Sequence, residues 1–582
     1  MKNSCRDPIT RTRRRETAMT PRSLRATGAA LLLLTMLPGQ ASAASPPTAD
    51  PGATPRSGLE ETEDLTESLA NHLHEVSFAI LDRDMEKFAE HFAPDATGTD
   101  VPIGEGEPTA ETRWVHTRPL REPVSLSGRG ALATAWGEYL DTFRSLEDVR
   151  LKVKSAEMNT DGNGTVSASA YIKYFWIGRG PEGAREWVKG VGRVKASRPR
   201  DGPWTLHELT LTDLHPRVAT ANLFDEVSGP AGTALTVPRW GSPGNEEFMA
   251  HGVAVADLDD DGFLEIFVTG GGENHLYRSR GDGTYEDIAM NALVGVTPSA
   301  TGPLFLDFDN DGDEDLFLAS VGRQMFFENR FVPEGRVEFL ERSEDAGVAL
   351  PAHGYSAVSA DVNSDGFPDI YVCSYNAYGT VMPNSWSQAT NGTPNLLLIN
   401  DGGRRFVEAA ADWGVADSRW TYAAQFADLN GDHRADLYVA NDFGVNAFYI
   451  NEGDRFRDAS REFGIDDTGN GMGVSFGDYD NDGRVDLHVT NMSSTAGNRI
   501  LGVLFPDMED SPEYARTLKK LASGNTLYRN TGDGSFRDVT SEVGPFSAGW
   551  AFGGGFLDFD NDGWQDIHTP NGFISGKGLR DT

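Results

Sequence analysis

Cysteine is nearly missing from these 582 residues: only Cys5 and Cys373 occur. That excludes a disulfide-framed fold and a cysteine-based zinc site. Basic side chains are scarce too, 51 against 88 acidic ones, for a formal net charge of −37. A surface of that sign repels phosphate, which argues against nucleic acid and anionic lipid as partners. Past residue 43 no run is long and apolar enough for a membrane helix. There is no P-loop, no GxSxG and no HExxH. What the chain has in quantity is turn residues, 65 glycines and 30 prolines, which point to many short elements. With 38% hydrophobic and 10% aromatic residues spread along it, the chain can build cores. Its length suits roughly two to four domains.

The first segment reads as an address. Arg11, Arg13, Arg14, Arg15, Arg22 and Arg25 precede an apolar run at Leu31-Leu32-Leu33-Leu34. Ala41-Ser42-Ala43 then supplies a signal-peptidase pattern. Residues 1–43 are therefore expected to be a signal peptide, and the protein to be secreted, periplasmic or at the cell surface. Residues 44–63, rich in Pro, Thr, Ser, Ala and Gly, read as a flexible linker.

Residues 64–217 form a separate α+β unit. Leu65, Leu69, Leu73, Val76 and Ile80 recur at helical spacing. Shorter helices are expected at Met85–Phe92, stopped by Pro94, and at Leu132–Phe143. Strand patterns follow at Val149–Met158, Thr165–Ile177, Ala184–Ser197 and Trp204–Leu214. This order, with the phrase AILDRDMEKFAEHFAPDATGTD at 79–100, resembles the NTF2-like (SnoaL-like) cone. The resemblance implies a cone that can hold a small ligand, and some members are isomerases or hydratases that use Asp and His. Here Asp95, His91 and His116 are the candidates, without a paired acid–base spacing.

One phrase recurs six times beyond residue 256. Its acidic or amide positions 1, 3, 5 and 9 are Asp257, Asp259, Asp261 and Glu265, then Asp307, Asp309, Asp311 and Asp315, then Asp361, Asn363, Asp365 and Asp369. The later three are Asp428, Asn430, Asp432 and Asp436, then Asp478, Asp480, Asp482 and Asp486, then Asp558, Asp560, Asp562 and Asp566. Calcium takes about six to eight oxygen ligands in flexible geometry, and carboxylates at positions 1, 3 and 5 share one centre only if the chain curls tightly. Glycine at position 6 permits that curl; only the fourth loop departs, with His433. Position 12, where an EF-hand needs an acid, is Val268, Leu318, Val372, Val439, Val489 or Thr569. The chain therefore returns into a strand, and the expectation is a calcium-clasping β-hairpin. Magnesium, which keeps several waters, suits such a cage poorly.

A second phrase alternates with the first, as in Asn525-Thr-Leu527-Tyr528-Arg-Asn530 followed by Gly532-Asp-Gly534-Ser-Phe536-Arg-Asp538. It reads as two strands around a glycine turn, so each repeat has four strands, a propeller blade. These residues resemble the FG-GAP (VCBS) repeats of integrin-type propellers, and are similar to the secreted cartilage-acidic-protein-like family. The resemblance covers 222–582 and implies structural Ca²⁺, an extracellular location and interaction functions. No Leu-Tyr-x-Asn phrase follows the sixth loop before Thr582, so six blades are visible and a seventh stays open. Phe224–Val227, within a phrase like SFRDVTSEVG, is expected to add the outer strand to the last blade.

Strand direction puts the calcium loops on one face. The other receives the insertions at 374–394 and 492–523, the residues Asn441, Asn491 and Asn571, and His251, His353, Trp420 and Trp550. Amides beside aromatics suit carbohydrate or a partner loop; equally, they cap strand ends and pack between blades. The fold expected is mainly β, a propeller preceded by a small cone. The function expected is an extracellular binding or adhesion module for a protein or glycan. The alternative is an extracellular enzyme, acting on carbohydrate at the propeller or on a small molecule in the cone.

Overall fold

The computed structural model describes residues 58–199, 202–235, 252–270, 273–297, 299–376, 381–494, 497, 501, 513–544 and 548–570. The signal peptide, most of the linker, His251 and Asn571 lie outside the described residues. The first helix, α1, spans Gly58–Leu81 and so begins inside the segment assigned to the linker. Its stripe of Leu69, Leu73, Val76 and Ile80 is fully buried. A short helix α2 (Met85–Glu90) follows, with the Asp84 side chain accepting from Lys87 N at 2.9 Å. It is shorter than expected, because Phe92–Thr99 is a strand, β1, which runs parallel to a later strand with a register shift between Phe92 and Thr97. That irregularity accommodates Pro94, which cannot donate to a regular ladder.

Short strands β2 (Thr109–Ala110), β3 (Val115–Thr117) and β4 (Ser125–Ser127) precede helix α3 (Arg129–Leu140). Four long strands complete the unit: β5 (Ser145–Thr160), β6 (Thr165–Arg179), β7 (Arg185–Pro199) and β8 (Thr205–Ala219). The sheet order is β2-β3-β8-β7-β6-β5, with β1 against β8 and β4. Strict alternation of buried and exposed residues along β6 turns one face inward. Three helices and a long antiparallel sheet reproduce the expected cone. Its interior is filled by aromatic side chains. Tyr174 stacks on Trp176 at 5.2 Å, Phe88 on Trp136 at 5.5 Å, and Trp136 Nε1 donates to Thr99 O at 3.0 Å.

From residue 253 the chain repeats one four-stranded antiparallel unit. The fourth is representative: Thr421–Ala427, Asp436–Asn441, Ala447–Asn451 and Phe456–Asp458, paired in sequence order. Equivalent units occupy 253–287, 300–341, 351–408 and 471–538, and a sixth shows two strands, Gly555–Leu557 and Asp566–His568. First strands of successive blades lie side by side, where Thr269 Oγ1 donates to Thr301 O (2.9 Å) and Thr301 Oγ1 to Gly354 O (2.7 Å). Space there is minimal: a Cβ on Gly302 would sit 2.6 Å from Ser356 Cα. Between blades, apolar side chains of facing sheets form the cores, such as Tyr371, Leu397, Leu437, Val439 and Phe456. Each blade is apolar on both faces, so stacking blades around an axis buries both.

One expectation needs correction. Phe224–Val227 is not a strand. The sixth blade has no third strand among the described residues for it to pair with. The segment still lies at the expected seam. Phe224 packs on Phe559 with ring centroids 5.6 Å apart, and Gly232 abuts Tyr285 O of the first blade, as Gly414 abuts Phe456 O and Gly464 abuts Phe536 O.

Candidate metal centres

Each loop between first and second strands is wound by its own side chains. In all six, the position-1 carboxylate accepts from the backbone N–H groups of positions 5 and 6; in the fifth, Asp478 accepts from Asp482 N at 3.0 Å and Gly483 N at 2.8 Å. The position-5 carboxylate in turn accepts from the N–H of position 7. The curl needs a left-handed residue at position 6. The glycines there have φ between +83° and +97°, and His433 is forced to +66°.

This winding converges acids. Carboxylate oxygens of Asp257, Asp259 and Glu265 lie within 4.8 Å of one another, as do those of Asp307, Asp309 and Asp311, of Asp478, Asp480 and Asp486, and of Asp558, Asp560 and Asp562. In the third and fourth loops position 3 is an amide, and Asn363 and Asn430 donate to Asp365 and Asp432 at 2.9 and 3.1 Å. Like charges at such separations repel. Burial first, then the charges of Asp311 and Asp307, push the Asp309 carboxyl above its usual range.

Position 9 does something the spacing did not reveal. Its carboxylate was expected to close a metal shell. In the first five loops both of its oxygens accept backbone N–H groups, one from position 2 and one from the third strand. Asp436, for example, takes Leu429 N (3.1 Å) and Asn451 N (2.9 Å). It is a latch between loop and sheet. Burial pushes Asp315 up to about 8, and Asp369, Asp436 and Asp486 up to about 6.

Position 3 carries the sharpest signal. Asp259 Oδ1, Asp480 Oδ1 and Asp560 Oδ1 are buried and accept no hydrogen bond. Their other oxygens are held from outside: Asp259 by Arg278, Asp480 by Arg529 at 2.6 Å. A buried carboxylate oxygen without a donor, aimed among other carboxylates, is what a hard cation satisfies. The donor set is all oxygen, which suits calcium. The arginines were visible as the shared Leu-Tyr-Arg of two third-strand phrases, but not their target.

On the opposite face Asn441, Asn491 and Trp420 cap strand ends and pack, the second of the two readings of the sequence. Asn441 and Asn491 are buried; Asn441 Oδ1 accepts from Thr421 Oγ1 at 2.8 Å, and Asn491 donates to Thr526 Oγ1 at 3.1 Å. Trp420 is 1% exposed and packs on Tyr375. These residues close blade ends. Half-buried aromatics remain at the first insertion, where Trp386 meets Phe443 at 5.4 Å. His353 bonds Thr393 at 2.7 Å. In the cone, the three candidates do not converge. Asp95 is exposed, His116 lies on β3, and His91 faces His72 at 4.8 Å.

The repeat geometry defines a class. The FG-GAP-like repeat pattern matches residues 243–318, 361–439, 428–489 and 520–569, so the chain carries FG-GAP-like repeats in the blades that follow the cone. Among individual proteins it is similar to cartilage acidic protein 1 of Homo sapiens, 26% identical over 232 residues, and of Mus musculus, 26% over 233. The match takes in 36% of this chain and 34% of the human protein, so it spans about a third of its relative's length. Among solved structures, a lectin of Agrocybe aegerita that recognises non-reducing terminal N-acetylglucosamine covers 56% of this chain and 76% of its own, at 16% identity and a TM-score of 0.32. Aln2 from a Streptomyces species covers 27% of this chain and 93% of its own, at 16% identity and a TM-score of 0.18.

Proposed function

We propose that this chain is an exported, calcium-stabilised propeller that serves as an extracellular binding module for a protein or glycan. The observation that carries it is the buried, donorless oxygen of Asp259, Asp480 and Asp560 inside rings of further acids. Positions 1, 3, 5 and 9 of each loop would hold the ion, Glu265 and Asp486 converging with positions 1 and 3 in loops one and five, and the position-9 carboxylate would also fix the loop to the sheet. Calcium supplies charge neutralisation there. Export rests on the basic, apolar and small-residue order of residues 1–43. Among the described residues no helix is long and apolar enough to cross a membrane. The domain boundaries follow the composition, with 64–217 as the cone and 222–582 as the propeller.

The binding face is the one opposite the loops, where Trp386 and Phe443 are half-buried in the insertion that carries Asn384 and Asn391. Stacking faces next to amide donors suit sugar rings and partner loops. The deciding measurement is a glycan and protein array probed with the mature chain in calcium and in EDTA. Retention that is lost in EDTA and in Trp386→Ala supports the reading. Retention that survives both would move binding to another surface.

A further inference from the structure

In loops one and five, the arginine on the position-3 carboxylate comes from the same blade's third strand. The sixth loop has the same donorless inner oxygen, Asp560 Oδ1, yet its cap comes from the cone. The turn between β2 and β3 carries Arg113 and Trp114. Trp114 Nε1 donates to Asp560 Oδ2. Arg113 donates to Asp560 O at 3.2 Å, and its Nε lies 3.4 Å from Oδ2. The guanidinium stacks 4.5 Å above the Trp114 ring. The turn is braced from behind: Thr112 Oγ1 accepts from Val115 N at 3.1 Å, and Thr220 Oγ1 donates to Arg113 O at 3.0 Å. The Asp560 side chain, only 6% exposed, is thus gripped on its outer oxygen and left open on its inner one.

We propose that the cone completes the sixth metal loop, so that metal loading there and docking of the cone favour each other. This rests on the loops being calcium sites. Without a cation, the oxygens of Asp558, Asp560 and Asp562 repel within 4.8 Å. A divalent ion removes that repulsion and fixes Asp560 with one oxygen inward and one outward, the geometry the turn grips. Arg113 carries a charge that opposes the ion, but its side chain is 53% exposed and water screens it. Trp114 donates without charge and pays no such penalty. Because coupling is reciprocal, a docked cone raises the loop's affinity by the factor by which the ion raises docking.

The test uses the full mature chain, with calcium chloride as the only probe. Calorimetry counts and ranks the calcium sites, and hydrogen exchange follows residues 109–117 with calcium and with EDTA. In the wild type the turn should exchange more slowly in calcium. In Arg113→Gln/Trp114→Phe, which preserves the turn's bulk, that protection should vanish and one site should weaken by about tenfold, with the others unmoved. Asp482→Ala, in the fifth loop, should leave the turn protected. Wild-type affinities at every site in the double variant, or turn exchange that is equal or faster in calcium, would overturn the coupling while leaving the calcium reading intact. No calcium uptake by the wild type would overturn both.

Discussion

Asn451 donates its side-chain N–H to the backbone carbonyl of Val362 at 2.8 Å, joining the third strand of the fourth blade to the acidic loop of the third. Asn400 reaches Phe308 O in the second loop the same way, also at 2.8 Å. The asparagines that end these two third strands, Asn451 and Asn400, are therefore staples between neighbouring blades. Asn451→Ala should leave a buried carbonyl unpaired and cost about 1–3 kcal/mol, read as a lower denaturant midpoint at unchanged slope. An unchanged midpoint would show that the staple adds nothing.

Calcium should hold the propeller together. An ion bound only by the folded state adds about 2.7 kcal/mol per site at a hundredfold excess over Kd. Chelation by EDTA should lower the melting temperature of the wild type, and Asp482→Ala should lower it in calcium but much less in EDTA. Equal melting in millimolar calcium and in EDTA would refute structural calcium.

The fourth loop should be the weakest. His433 stands at φ +66° where its counterparts are glycines. His433→Gly should relieve about 1 kcal/mol of backbone strain and tighten calcium at that loop. A calorimetric titration showing no site improved would mean the strain is absorbed elsewhere.

Asp315 should make the metal-free protein sensitive to pH. Burial raises its pKa to about 8 in the fold, from a usual 3.8. The folded chain then keeps a proton that the unfolded chain releases, so this contribution is present in full below 3.8 and is lost as pH rises towards 8. In EDTA, the wild type should gain stability relative to Asp315→Asn as pH falls from 8.5 to 4. A difference that stays flat across that window would show the carboxyl to be ionised throughout.

Close packing at the axis gives a steric prediction. Gly302→Ala would place a Cβ 2.6 Å from Ser356 Cα and 2.7 Å from Tyr355 O. Backbone cannot yield there as a side chain would, so about 1–3 kcal/mol should be lost, seen as a lower melting temperature with calcium present. Wild-type melting would indicate that neighbouring first strands can slide apart.

The loops were legible because a tight curl wound by its own carboxylates fixes residue types at fixed offsets, and the long cone strands because burial alternates along them. What was hidden depends on contacts distant in sequence. The acid at position 9 is the same residue type as the acids at 1, 3 and 5, and only the third strand, placed beside it by folding, reveals the latch. Asn441 and Trp420 have the composition of a ligand face, yet Asn441 is taken up by Thr421 and Val445 of its own blade and Trp420 packs on Tyr375 of the preceding one. Phe224–Val227 has the wording of an outer strand, but a strand also needs a partner edge. Arg113 and Trp114 could not be matched to Asp560 from any local pattern.

The division of labour between the two ends of the blades has an evolutionary consequence. The hydrogen bonds that curl each acidic loop run to its own position-1 and position-5 carboxylates, and they lie at one end of the blade. The insertions open from the other end, after the second strands, where strand pairing is already complete. Residues 381–388 can thus vary without touching a loop carboxylate, whereas Ala389, Asn391 and Gly392 are tied into the blade end. Such a scaffold can vary one end of its blades while the folding requirements at the other stay constant.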